Sequence, residues 1–297
     1  MKEDSAVKRR FAVGEEWLYL KIYLRSFFAD KILLKIQEFI SSKIADGKVE
    51  KWFFIRYYDP GFHVRVRLFL PDPSETAGIL SEINAVLENE IKKGIATILL
   101  DTYIRELERY DPKCIEQVEE LFFYDTITVL PLLNGVEQNL LSENDRWIYG
   151  LLALDKTLSD FGMDLNEKLV FVSNINSHFS VEFKKDKVLN KQLDKAFREY
   201  EELITDSLKN DNAFSQLLAH RSEISRKAVS KIIMMDREKM LTQNFHGILS
   251  SCIHMNCNRL FRIEQRKQEY ILYDFLTRFY TKELYKNKKL SINVMSN

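Results

Sequence analysis

The sequence predicts an α+β fold, in which a ferredoxin-like sheet layer comes first and a mainly helical half packs on it. Three observations lead there. Apolar residues in the first third switch between a two-residue and a 3.6-residue period, in the order β-α-β-β-α-β. After Asp111-Pro112 the helical period takes over for the rest of the chain. With 9 Gly and 5 Pro against 20 Phe and 13 Tyr in 297 residues, the composition favours long regular elements over loops.

Each element has a local reason. Trp17 to Leu24 alternates as a strand. Residues 28–45 carry Ile32, Leu33, Ile36, Phe39 and Ile40 at helical spacing and should end near Gly47. Val49 to Tyr58 and His63 to Leu70 read as two strands joined by a Pro-Gly turn. Pro71-Asp-Pro-Ser74 breaks the chain and caps a helix over about 74–93, striped by Ile79, Ile83, Val86, Leu87 and Ile91. Ala96 to Arg105 returns to strand character. Helices are then predicted over 113–130, 143–161, 190–209, 213–233, 244–262 and 264–284. The segment 164–188 reads as irregular, with room for a short hairpin around Phe179 to Phe183. No Gly/Ser linker separates a sheet half at about 15–110 from a helical half at about 113–284, so residues 1–297 are expected to share one core.

Composition narrows the function classes. Lys+Arg and Asp+Glu are both 44, so no global field draws the chain to nucleic acid. Cys114, Cys252 and Cys257 are an odd number without paired spacing, which fits a reducing compartment rather than a disulfide framework or a zinc ribbon. The charged start, Met1 to Arg10, lacks the apolar core of a signal peptide, and no run approaches a membrane span, so a cytoplasmic location is expected. There is no HExxH or CxxC, no phosphate-cradling glycine loop, no Gly-x-Ser-x-Gly elbow and no Rossmann fingerprint. No metal or organic cofactor is therefore expected.

Chemistry concentrates in three clusters. The first is Arg56-Tyr-Tyr-Asp-Pro-Gly-Phe-His63-Val-Arg65-Val-Arg67. Strand alternation puts Arg65 and Arg67 on one face, about 6–7 Å apart, with Val64, Val66 and Leu68 on the other. Two guanidiniums that close repel unless an anion lies between them, and arginine grips carboxylate or phosphate in a fork. The competing reading is a solvated outer face with cross-strand acid partners. The second cluster, Tyr103-Ile-Arg-Glu106-Leu-Glu-Arg109-Tyr110, sets Glu106 and Arg109 three apart. The third, Ser251-Cys-Ile-His254-Met-Asn-Cys-Asn258-Arg259-Leu260, puts His254 and Asn258 on one helix face, with Arg259 pointing away. A core histidine and asparagine satisfying loop carbonyls is the bland alternative there.

Taken together, Trp17 on the first strand, Arg56-Tyr-x-Asp-x-x-x-His63-x-Arg-x-Arg67, Tyr103-x-x-Glu106-x-x-Arg109-Tyr110 and His254-Met-x-x-Asn258-Arg259-Leu260 resemble the C-terminal domain of lantibiotic dehydratases, also called the thiopeptide-type bacteriocin biosynthesis domain. The resemblance runs from about Glu16 to Leu284. It implies a lyase that eliminates glutamate from a glutamylated Ser or Thr of a precursor peptide, leaving dehydroalanine or dehydrobutyrine. It also implies catalytic roles for Arg65, Arg67, Arg109 and His254, with Arg56, His63, Glu106 and Asn258 binding substrate. One departure is notable: the family often has Arg-Tyr-Gly-Gly where this chain has Arg109-Tyr-Asp-Pro112. The expected partners are the precursor peptide and a separate glutamylating enzyme, as for a standalone member of a split dehydratase, with no direct nucleic-acid contact; a homodimer is allowed. Two other readings compete. One is a pyridine-forming [4+2] enzyme of the same fold, a group that tends to have lost the arginine set kept here. The other is a non-catalytic peptide-binding module using the sheet edge.

Overall fold

The computed structural model describes the backbone of residues 7–295 and the side chains of residues 7–289; the charged Met1–Ala6 stretch lies outside the described residues. The elements follow in chain order as β1 (Arg10–Phe11), β2 (Trp17–Tyr23), α1 (Ala29–Ala45), β3 (Lys51–Tyr58), β4 (Phe62–Phe69), α2 (Thr76–Val86), α3 (Glu88–Lys92), β5 (Thr97–Asp101), β6 (Tyr103–Ile104) and α4 (Leu107–Tyr110). Helices α5 (Ile115–Glu137), α6 (Glu143–Asp160), α7 (Leu165–Glu182), α8 (Lys187–Lys209), α9 (Ser215–Arg237), α10 (Phe245–Leu260) and α11 (Gln265–Met295) complete the chain. The protein is mainly helical with a small antiparallel sheet, an α+β composition as expected.

The four-stranded sheet runs β3-β4-β2-β5, with every neighbouring pair antiparallel. The small β1-β6 ladder has no counterpart in the sequence reading, because a two-residue strand carries no period to read. One face of the sheet buries Leu18, Leu20, Ile22, Trp52, Phe54, Val64, Val66 and Leu68. Asp30 of α1 meets Arg56 on that same face. Helix α1 ends as anticipated: Gly47 adopts φ 72 and donates to the Ile44 carbonyl at 3.0 Å, a conformation glycine enters without a Cβ clash. The opposite face carries Trp17, Tyr19, Phe53, His63, Arg65 and Arg67. It meets Tyr103 of β6 and Phe122 of α5 through edge-on aromatic contacts.

The chain forms two compact units, Met1–Ser142 with Ile224–Ile263, and Glu143–Glu223 with Glu264–Asn297. The sheet's unit therefore extends past Arg105 to include α5 and, after a long excursion, α10. A hydrophobic period shows that a helix buries one face, but not which partner receives it.

In the second unit the segment 164–188 corrects the sequence reading, because it is helical almost throughout. Asp164 and Glu167 form a reciprocal capping box that starts α7, and Asp186 caps α8 by accepting from Leu189. Phe179 and Phe183 both stack on Tyr270 of α11, with centroids at 5.6 and 5.3 Å. That aromatic pair is a stripe at helical i,i+4 spacing, not the start of a hairpin. Among the described residues no helix is long and apolar enough to cross a membrane.

Candidate functional site

The site is built on the face of β4 that carries arginines. Its neighbours fix the register: Lys21 of β2 and Ile55 of β3 lie opposite Arg65, while Tyr19 and Phe53 lie opposite Arg67. Arg67 is 8% exposed, its guanidinium held 4.8 Å from the ring centre of Tyr19, 5.4 Å from Phe53 and 4.7 Å from Tyr103. Aromatic faces attract a guanidinium but do not neutralise it. The half-buried Arg65 stacks 3.5 Å from the Tyr57 ring centre. The acid that could have answered Arg65, Asp101, is instead ion-paired with Lys21. Among the described residues, neither arginine has the cross-strand acid partner that the competing reading requires.

His63 sets the direction of Arg65. Its ring is fully buried between Tyr23 and Tyr57, with centroids at 4.5 and 5.5 Å. Nδ1 lies 2.9 Å from the Gly61 carbonyl, and Nε2 accepts from Arg65 Nε at 3.1 Å. A donating Nδ1 and an accepting Nε2 define the neutral tautomer. Burial, with Arg65 and Lys21 adding to it, pushes the His63 pKa below its ordinary value.

The second cluster meets the third through Ser251. Arg109 Nε donates to Ser251 Oγ at 3.1 Å, and its Nη1 lies 3.6 Å from the Glu106 carboxylate. His254 is half-buried, one turn beyond Ser251 on α10. Asp111 explains how the chain departs from the Arg-Tyr-Gly-Gly turn. It sits at φ 68 and ψ 133, backbone that a glycine enters freely. Its carboxylate accepts from Lys113 N at 2.8 Å, Thr242 N at 2.5 Å, Thr242 Oγ1 at 2.8 Å and Gln243 N at 2.8 Å. The turn after Arg109 is thereby tied to the residues just before Asn244, the N-cap of α10.

Two expected substrate binders are engaged elsewhere. Arg56 is 2% exposed, and its Nη2 donates to Asp30 at 2.6 Å. Its register partner on β4 is Val64, which places it on the sheet face away from Arg65 and Arg67. The Pro-Gly turn brings the two strands together, but pairing register decides which face each arginine takes. Asn258 clasps the edge strand: its Oδ1 accepts from Arg56 N at 2.7 Å and its Nδ2 donates to Arg56 O at 2.8 Å. Both residues hold α10 against β3, since Arg56 Nε and Nη2 also donate to the Arg259 carbonyl, at 3.1 and 3.0 Å.

The sequence reading names Arg259 in the third motif, pointing away from His254 and Asn258, but gives it no role. Its side chain is fully buried, 4.5 Å from the Phe122 ring centre and 5.9 Å from that of Phe53. Burial lowers its pKa to about 10, with Asp125, Tyr110 and Cys252 opposing the shift and Arg67 adding to it. Burial also raises the pKa of the Tyr110 hydroxyl, and Arg109 and Arg259 both oppose that rise. The Phe122 ring beside Arg259 is edge-on both to Phe53 of the arginine face and to Tyr110 of α4. The place directly after Asn258 is the sequence signal that marks Arg259. Among the described residues no group of three or more His, Cys, Asp or Glu could hold a metal ion.

The family model described as lantibiotic biosynthesis dehydratase C-term matches residues 17–280. The chain belongs to that family. Subtilin biosynthesis protein SpaB of Bacillus subtilis is 23% identical over 278 residues, covering 91% of this chain and 26% of its own length. Nisin biosynthesis protein NisB of Lactococcus lactis subsp. lactis is 27% identical over 295 residues, covering 96% of this chain and 27% of its own length. The chain thus spans about a quarter of the length of these relatives. Two solved structures share the fold. The tRNA dependent lantibiotic dehydratase MibB from Microbispora sp. 107891 has TM-score 0.67 and 20% identity, over 94% of this chain and 29% of that one. The pyridine synthase TbtD, from thiomuracin biosynthesis, has TM-score 0.68 and 12% identity, over 92% of this chain and 99% of that one.

Proposed function

We propose that this lantibiotic dehydratase C-terminal family member is a lyase that eliminates glutamate from glutamylated Ser or Thr in a ribosomal precursor peptide. The observation that carries the reading is the pair Arg65 and Arg67 on one sheet face, neither matched by an acid, while Asp101 beside them is held by Lys21. A base removes the α-proton of the esterified residue, the Cα–Cβ double bond forms, and the Cβ–O bond breaks as the glutamate carboxylate leaves. Negative charge grows on the peptide carbonyl and on the departing carboxylate. Permanently charged guanidiniums held by Tyr19, Tyr57 and Tyr103 are preorganised for it. Arg109, anchored to Ser251, and His254, one turn further along α10, supply a further cation and an acid–base group. His63 orients Arg65, and the peptide would already carry its glutamate when it reaches this face.

The test is incubation with a synthetic glutamylated peptide, followed by mass spectrometry for loss of glutamic acid. His254→Ala should stay folded and slow the loss by about 10²–10⁴. A destabilised but fully active His254→Ala variant would make this histidine structural. No loss from wild type, with pyridine formed from a bis-dehydroalanine peptide instead, would transfer the assignment to cycloaddition.

A further inference from the structure

The two edges of the four-stranded sheet end differently. On β3, Asn258 closes the edge by bonding both the N–H and the C=O of Arg56. On β5 the register shows which backbone groups face outward. Leu24 N donates to Phe62 O at 3.3 Å and Glu16 O accepts from Leu70 N at 2.7 Å, so the even-numbered residues of β2 bond β4. Its odd-numbered residues Tyr19, Lys21 and Tyr23 therefore bond β5, through Asp101, Leu99 and Thr97. Ile98 and Leu100 then turn N–H and C=O away from the sheet. This edge is closed at each end: Ala96 N donates to Glu90 O at 3.2 Å, and Thr102 N donates to the Asp101 carboxylate at 2.7 Å. Between those ends, among the described residues, no backbone partner meets Ile98 or Leu100 on the outer side.

An open edge usually carries lysine, proline or a bulge that keeps other strands away. Thr97-Ile-Leu-Leu-Asp101 has none of these, pairs with β2 in unbroken register, and leaves Leu99 50% and Leu100 39% exposed. Leu99 shares its row with Lys21 and Arg65, so one side of an added strand would continue the arginine face. We propose that β5 is the docking edge for the precursor peptide, which pairs there as an added strand, lays apolar side chains beside Leu99 and Leu100, and crosses the arginine face from that edge. That the occupant is a peptide substrate rests on the function proposed above; the open edge rests on register alone. Its short outward window offers a few backbone hydrogen bonds, a contact short of the about 1,000 Å² that a stable pairing of two copies buries and suited to a substrate that must leave. The added strand would lie three strand spacings, about 14 Å, from β4. The reacting residue therefore sits outside the paired segment, about four residues along the peptide.

Proline separates the two sides of the strand. Leu100→Pro deletes an outward N–H and no bond to β2, whereas Leu99→Pro deletes an N–H that bonds β2. The probe is a synthetic peptide with one glutamylated Ser and a Val-Thr-Val-Thr-Val segment about four residues to either side of it. Its binding to the full chain is read by fluorescence anisotropy, and its loss of glutamate by mass spectrometry. Leu100→Pro should stay folded and weaken binding at least about 10-fold, with the loss appearing in KM rather than kcat, while Leu99→Pro should lower Tm. N-methylating every amide of the two segments should weaken wild-type binding by a similar factor and add little in Leu100→Pro; this peptide decides the matter if the proline variant does not fold. Equal binding of methylated and unmethylated peptides, or a folded Leu100→Pro that binds like wild type, would overturn the proposal. So would self-association of the wild type that Leu100→Pro abolishes, which would give the edge to a second copy. Binding that needs the open edge in a protein without elimination activity would support the docking edge and refute the elimination reading. Elimination with an unchanged KM in Leu100→Pro would do the reverse.

Discussion

Substituting Asp111 separates two opposing contributions at a single position. Its carboxylate accepts four hydrogen bonds, three of them from Thr242 and Gln243. Hydrogen bonds to a charged group contribute about 1.5–3 kcal/mol each, and four sharing two oxygens add up to less than their sum. A loss of about 4 kcal/mol is expected for Asp111→Ala, which leaves buried donors without partners and keeps a Cβ at φ 68. Asp111→Gly loses the same bonds but relieves strain of about 1–3 kcal/mol at that backbone position. It should therefore cost about 2 kcal/mol, making the smaller residue the better tolerated one. Urea unfolding at neutral pH, with equal m-values, measures both. Burial alone would raise the Asp111 pKa, but the hydrogen bonds from Lys113, Gln243 and Thr242 outweigh it and hold the carboxyl below its ordinary value. Its contribution is thus complete above the unfolded pKa of about 3.9 and fades as pH falls through the folded one. The gap between wild type and either variant should narrow in that acid range. Alanine and glycine variants of equal stability, or an alanine variant within about 1 kcal/mol of wild type, would refute the account of this turn.

Three further outcomes are expected. Asn258→Ala removes both bonds to the Arg56 backbone and should destabilise the protein by about 2–4 kcal/mol in the same urea assay, with no change if the clasp is incidental. Arg67→Lys should remain folded yet lower kcat/KM for loss of glutamate at least about 10-fold, because an ammonium cannot present a fork; unimpaired turnover would exclude two-pronged binding. His63 is held neutral by burial, so its share of stability is complete above the unfolded pKa of about 6.5 and is lost as pH falls through the depressed folded value. Stability measured at about pH 8 and about pH 5.5 should differ more in wild type than in His63→Gln, and an equal difference would remove His63 as the cause.

Local periodicity carries most of the element order. The two-residue alternation of 63–70 is enough to put Arg65 and Arg67 on one face, and β4 does so. The helical stripe of residues 28–45 and its stop at Gly47 are similarly local, set by side-chain spacing and one backbone dihedral. The helix at 165–182 escapes a sequence reading because Phe179 and Phe183 suit either period over so short a stretch, and Tyr270, the ring that decides between them, lies on another helix. The motif residues are legible as residue types, but their roles are not. Whether an arginine is answered by an acid depends on which side chain folding brings to it. Arg56 finds Asp30 and the Asn258 amide, from opposite ends of the chain. Lys21 takes Asp101 and leaves Arg65 without it. Arg259, adjacent in sequence to Asn258, meets the rings of Phe53 and Phe122, which two other elements bring to it. Spacing along a strand or helix fixes a direction over a few residues. Hydrogen-bond and charge compensation is settled between segments as far apart as Arg56 and Asn258, 202 residues along the chain, and only the tertiary structure decided it.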